Sequence, residues 1–120
     1  MGDHISFGAA GEKAAVEYLK EKGYEIKEQN WQFGRFEIDI IAMHSDLIIF
    51  IEVKSRSGTY FEQPYQAVTQ KKQEFIIKAA DAYIEKYEIE DEARFDIISI
   101  VKKYDRFEID HIVDAFYPTL

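Results

Sequence analysis

Hydrophobic residues recur along this chain with two different periods, and the switches between them divide it into elements. From Gly8 to Lys22, Ala15, Leu19 and Lys22 follow one another at steps of three or four, with Gly11 one turn earlier and Val16 and Tyr18 flanking. This spacing predicts an amphipathic helix, with Ser6 as its N-cap and Gly23 as its C-terminal stop. Three strand-like runs come next. Tyr24–Trp31 alternates weakly, Phe36–Met43 alternates strongly, and Leu47–Lys54 is rich in β-branched residues. Pro64 suits the first turn of a second helix, which carries Val68, Phe75, Ile76, Ala79 and Tyr83 along one face. The acidic stretch Glu88–Glu92 closes that helix. Phe95–Val101 and Phe107–Val113 are two further strands, separated by the polar turn Lys102-Lys103-Tyr104-Asp105. The order α-β-β-β-α-β-β predicts a mixed sheet flanked by helices, of α/β or α+β class.

The chain has 120 residues and no linker rich in Pro, Gly or Ser, so a single domain over residues 1–120 is expected. It contains no cysteine, which excludes disulfides, thiolate zinc sites and cysteine nucleophiles and fits a reducing compartment. The longest apolar run, Leu47–Ile51, is far below the roughly 18 residues of a membrane helix. No basic-then-apolar leader opens the sequence, so a cytoplasmic location without a membrane partner is expected. Glycine-rich phosphate loops are absent as well, which leaves nucleotide cofactors without support. Fifteen basic side chains face 23 acidic ones, for a net charge of −8. Such a balance argues against broad, non-specific nucleic-acid binding and leaves room for a small basic patch.

The informative stretch is Glu37-Ile38-Asp39, then Ser45-Asp46, then Glu52-Val53-Lys54. If Ser45-Asp46 is a two-residue turn, His44 faces Leu47, and Ile38, Ile40 and Ala42 face Val53, Ile51 and Ile49 on one apolar side. The other side becomes ionic at one end, with Asp39 opposite Glu52 and Glu37 opposite Lys54. A slip of one residue scrambles both faces, so the apolar pattern selects this register. Two opposed carboxylates repel and need a cation. Lys54 is one candidate, and would then make these ordinary solvent-facing edge charges. A hard divalent ion is the other, because Mg²⁺ takes one or two carboxylates and completes its shell with water and phosphate. With a lysine beside it, that second arrangement suits phosphodiester hydrolysis.

Asp39 followed after a hydrophobic stretch by Glu52-Val53-Lys54 resembles the core of PD-(D/E)XK nucleases. The wider set is Gly11-Glu12, Asn30-Trp31, Glu37-Ile38-Asp39-Ile40-Ile41-Ala42, Phe50-Ile51-Glu52-Val53-Lys54-Ser55-Arg56, Ala67-Val68, Lys71-Lys72 and Arg94-Phe95-Asp96. Together, from about Gly8 to Ile100, it resembles the YraN-like family of small bacterial proteins, relatives of archaeal Holliday-junction resolvases. The resemblance implies a restriction-endonuclease-like fold and an Mg²⁺- or Mn²⁺-dependent nuclease. Under it, Asp39, Glu52 and the backbone carbonyl of Val53 are metal ligands, Lys54 is the catalytic lysine, and Glu12 is the glutamate that resolvase-like members add. Lys71 or Lys72 is a phosphate contact on the second helix. Phe36 before Glu37, and Glu62-Gln63 before Pro64, depart from the family's small residue and glycine at those places.

Among the remaining residues, Arg56 is a further candidate phosphate contact. Lys72 is preferred to Lys71 because it lies four residues past Val68, on the inner side of the helix. Glu37 is expected to pair with Lys54. His4, His44 and His111 are too scattered for a histidine metal site or triad. The loop aromatics Tyr60 and Phe61 are candidates for base stacking, whereas Trp31 is expected in the core. The leading expectation is therefore a metal-dependent nuclease acting on DNA, with branched or damaged structures as candidate substrates and a homodimer as the candidate assembly. The competing expectation is a nucleic-acid-binding or protein-interaction module that keeps the fold without turnover, which the acidic charge favours.

Overall fold

A strand that is apolar on both faces has to be covered twice, and Leu47–Ile51 is such a strand. The computed structural model, which describes residues 7–57 and 68–118, meets this with one helix on each side of a single sheet. The elements are α1 (Phe7–Glu21), β1 (Glu25–Phe33), β2 (Phe36–His44), β3 (Leu47–Ser57), α2 (Gln70–Lys86), β4 (Glu92–Lys103) and β5 (Arg106–Phe116). The strands lie in the order β1-β2-β3-β4-β5. Only β3 and β4 pair in parallel, and α2 makes the crossover that parallel neighbours require. The predicted order α-β-β-β-α-β-β and the mixed α/β class are thus the observed ones, with the strands somewhat longer than expected.

α1 covers one face with Ala15, Val16 and Leu19 against Ile40, Ala42, Ile49, Ile51, Ile98 and Ile100. α2 covers the other with Ile76, Ala79, Ala80 and Tyr83 against Ile38, Ile41, Ile48, Phe50, Phe95 and Ile97. Lys22, drawn into the α1 stripe by its spacing, is exposed instead. At Gly11 α1 comes close to the sheet, since a Cβ there would collide with the Ser55 hydroxyl. Gly23 ends α1 at φ 91°, a conformation open to glycine. Thr69 caps α2, its Oγ1 accepting from the Lys72 N–H at 3.1 Å. α2 therefore starts at Gln70, later than expected: Val68 lies ahead of the helix instead of on its face, and Lys72 is exposed and not on an inner side. Ser6, Pro64 and the loop residues Tyr60 and Phe61 lie outside the described residues. Among the described residues no helix is long and apolar enough to cross a membrane.

Ser45 and Asp46 both take positive φ, 50° and 63°, as a type I′ hairpin turn demands. They set the expected register from His44↔Leu47 through Ile41↔Phe50 to Ile40↔Ile51. Beyond that pair the expected register fails. Ile38 packs on the α2 side while Ile40 packs on the α1 side, so the two do not share the apolar face that strict alternation gives them. On the neighbouring strand, Asn30 turns to φ 54° at the same level, between Gln29↔Ile40 and Trp31↔Ile38. The central hairpin is regular at its turn and irregular at its open end.

Candidate functional site

The irregularity is where the acidic residues meet. Instead of a ladder bond from the opposite strand, the Val53 N–H donates to Asp39 Oδ2 at 2.8 Å. The Asp39 side chain thereby takes the place of a backbone carbonyl, which satisfies a donor that the parting strands would leave unpaired. On β3, Glu52 continues the α2-facing series Ile48, Phe50 and is only 6% exposed. Its carboxyl group and that of Asp39 are near enough for each to shift the other's titration. Lys72, in the first turn of α2 beside the Thr69 cap, brings its Nζ to 3.5 Å from Glu52 Oε2, its side chain about half exposed.

Burial and the neighbouring Asp39 charge push Glu52 up to about 8, against the opposing pull of Lys72. Asp39 is raised as well, first by burial, with the Val53 N–H and Glu52 pulling the other way. Two neighbouring carboxyl groups in a poorly solvated place make ionising both costly, a cost that Lys72 lowers and a further cation would lower more. On the α1 side, Glu12 is raised by burial and by Asp39, and is held by the Asn30 side chain. Asp39 is therefore sensed from both helices, through Glu12 on one side of the sheet and Lys72 on the other.

Several expected partners differ from those found. The cation that reaches Glu52 among the described residues is Lys72, not Lys54. Glu37 does not pair with Lys54 across the hairpin; it accepts from Gln32 Nε2 at 3.3 Å, on the β1 side. Both differences follow from the lost register, which removes the Glu37–Lys54 opposition. Lys71 is exposed and lies over the Phe75 ring, 5.9 Å from its centroid. Arg56 is half-buried near the end of β3. Among the described residues no three His, Cys, Asp or Glu side chains gather closely enough to hold a metal ion, so Glu12 does not complete a three-carboxylate cluster. The donor set is two carboxylates plus whatever the backbone offers, which is the number a hard divalent ion uses when water and phosphate fill its other positions.

No histidine metal site forms among the described residues, but the fold gives His111 buried polar partners that its place in the sequence does not announce. Asp96, fully buried on the α1 face, accepts from Arg94 Nε and Nη2 at 2.9 and 2.8 Å, and from the Asp114 N–H at 2.9 Å. His111 Nε2 reaches it at 2.7 Å, and His111 Nδ1 meets the Tyr18 hydroxyl at 3.1 Å. Burial alone would raise Asp96, but the bonds from His111 and Arg94 outweigh it and hold its carboxyl below the usual range. Arg94 also donates to the Tyr24 hydroxyl at 2.8 Å. Sequence spacing offered only Arg94-Phe95-Asp96; the partners at 18 and 111 come from α1 and β5, and Tyr24 from the connection between α1 and β1.

The fold and site define an α/β protein whose central hairpin ends in a buried acidic pair served by a lysine from the crossover helix. The chain belongs to the uncharacterised protein family UPF0102, whose profile matches residues 11–100. It is 47% identical over 120 residues to a UPF0102 protein of Bacteroides thetaiotaomicron, covering 100% of this chain and 99% of that one. A UPF0102 protein of Bacteroides fragilis is 46% identical over the same shares. One from Flavobacterium psychrophilum is 41% identical over 117 residues, 98% of each chain. The matched stretch contains Glu12, Asp39, Glu52, Lys72 and Asp96.

Proposed function

We propose that the protein is a divalent-metal-dependent nuclease that hydrolyses phosphodiester bonds in DNA, with Mg²⁺ or Mn²⁺ as its cofactor. What supports this is the meeting of Asp39, which accepts from the Val53 N–H at 2.8 Å, with the buried Glu52 that Lys72 approaches to 3.5 Å, where burial and the Asp39 charge push Glu52 up to about 8. Asp39, Glu52 and the Val53 carbonyl would hold the ion, which when bound would polarise the scissile phosphate and lower the pKa of the attacking water. Lys54, two positions past Glu52 and so on the same strand face, would donate a hydrogen bond to the phosphoryl oxygen. It would act there as water attacks phosphorus and the bond to the leaving oxygen breaks. Lys72 would turn its ammonium from Glu52 to a phosphate oxygen, with Lys71 and Arg56 as outer phosphate contacts. Glu12 would accept a hydrogen bond from the attacking water on the α1 side. The substrate would be branched or damaged DNA in the cytoplasm, bound by a two-fold dimer.

A nicking assay on duplex, flap and junction DNA with Mg²⁺ and Mn²⁺ tests this. Asp39→Asn, Glu52→Gln and Lys54→Ala are expected to lose cleavage while still melting cooperatively, and full activity in purified Glu52→Gln would end the mechanism. One observation favours a second reading: with a net charge of −8, the chain suits a binding module that keeps the fold without turnover. Calorimetric uptake of Mn²⁺ with no cleavage of any substrate would select the module.

A further inference from the structure

Beside the acidic pair, a groove of about 730 Å³ runs between the start of β2 and the first turns of α2. Its walls include Arg35, Phe36, Glu37, Lys71, Lys72 and Phe75. Phe36 and Phe75 stack on one another, with ring centroids 4.4 Å apart and planes inclined by 21°. Both rings are only half-buried. Phe33, 39% exposed, sits directly opposite Phe36 in the β1–β2 register and is stacked with Trp31. The rings therefore continue as a short aromatic row from α2 across β2 onto β1. Lys72 is common to the groove and the acidic pair, since its Nζ lies 3.5 Å from Glu52. The one acid in the wall, Glu37, is already engaged by Gln32.

We propose that this groove binds an unpaired nucleotide of the DNA strand, stacking its base on the Phe36–Phe75 pair while Arg35 and Lys71 take the flanking phosphates. In duplex DNA the ring faces of the bases are covered by their neighbours, and only edges are open to a protein. A partly exposed aromatic pair beside cations fits a base out of the stack, as in single-strand-binding grooves. Charge points the same way. A net charge of −8 weakens the attraction to a duplex backbone, so stacking would supply affinity beyond that of a few phosphate contacts. The inference rests on the nuclease reading for its choice of DNA and names its substrate class: strands with an unpaired nucleotide next to the scissile bond, such as flaps and overhangs.

The test is fluorescence anisotropy of a labelled flap and its fully paired counterpart in Ca²⁺, which allows binding to be read without turnover. The flap is expected to bind more tightly than the duplex. Phe75→Leu, which keeps apolar bulk but removes the ring, is expected to weaken flap binding about 5- to 150-fold and leave duplex binding unchanged. Lys71 is exposed, so Lys71→Ala cannot disturb the core; it is expected to weaken the flap and make the salt dependence shallower. With Arg35, Lys71 and Lys72 each on a phosphate, log K should fall against log salt with a slope of about −2. Equal affinity for flap and duplex, or unchanged flap binding in both variants, overturns the inference. If the variants lose flap binding but the wild type cleaves nothing with Mg²⁺ or Mn²⁺, the groove stands and the nuclease reading falls. Cleavage that is indifferent to unpaired nucleotides and to Phe75→Leu has the opposite meaning.

Discussion

Replacing Glu52 by glutamine should stabilise the metal-free protein, and the gain should grow with pH. In the folded chain the Glu52 carboxyl is raised from 4.5 to about 8, by burial first and by Asp39 second. Between those values the folded state holds a proton that the unfolded chain has released. Stability therefore falls as pH rises through the window, and it is fully present only below the lower value. One proton corresponds to about 1.4 kcal/mol for each pH unit at most. From pH 5 to pH 7 the wild type should thus lose up to about 2–3 kcal/mol relative to Glu52→Gln, whose amide keeps the shape and has no charge to bury. For a domain of this size that difference is roughly 10 °C in melting temperature. The assay is urea denaturation of both proteins in chelator from pH 5 to pH 9, read as the difference between them, so that the background titration of the other acids cancels. A difference that stays flat across that range, or that shrinks with pH, would refute the buried acidic pair. Adding Mg²⁺ should then reverse the order, because an ion bound only by the folded wild type stabilises it by mass action, about 2.7 kcal/mol at a hundredfold excess over Kd.

Asp39→Ala should cost about 1–3 kcal/mol because it orphans the Val53 N–H, whereas Asp39→Asn keeps an acceptor and should cost little; urea midpoints separate the two, and both should lose cleavage. Gly11→Ala should destabilise the fold although alanine favours the helix by about 1 kcal/mol, since its methyl meets the Ser55 hydroxyl; Ser55→Ala in the same chain should recover most of the loss in melting temperature. Asp96→Ala should cost about 3–5 kcal/mol by leaving Arg94 and His111 buried without their acceptor. Because the Asp96 carboxyl is held low, its contribution should be present above the ordinary carboxylate range and vanish as pH falls through the folded value; acid denaturation of wild type against Asp96→Asn measures this.

Local rules were enough for most of the architecture. Leu47–Ile51 had to be a doubly covered strand, and Ser45-Asp46 had to be a tight turn whose length sets the register next to it. The two helical stripes were legible for the same reason: period and capping act within a few residues, and a short window of sequence contains them. The pairing of Asp39 with Glu52 was legible as a juxtaposition but not as a mechanism. Strict alternation carried the hairpin on to Ile38↔Val53, whereas in the folded chain the Asp39 side chain captures the Val53 N–H and the two strands part. Nothing local states that preference, because it depends on Asn30 next door and on two helices covering opposite faces of the sheet.

What lies beyond a few residues' reach was decided by packing alone. Lys72 rather than Lys54 stands at Glu52 because the α2 cap points it there. His111, isolated in sequence, closes a buried network with Asp96 and Tyr18 because β5 folds back along β4 under α1. Phe36 and Phe75, 39 positions apart in the chain, become one aromatic pair only when the crossover helix lies down on the sheet. Hydrophobic period is a property of neighbours and is written in the chain. The meeting of distant polar and aromatic groups is set by the layered core, and only the folded molecule contains it.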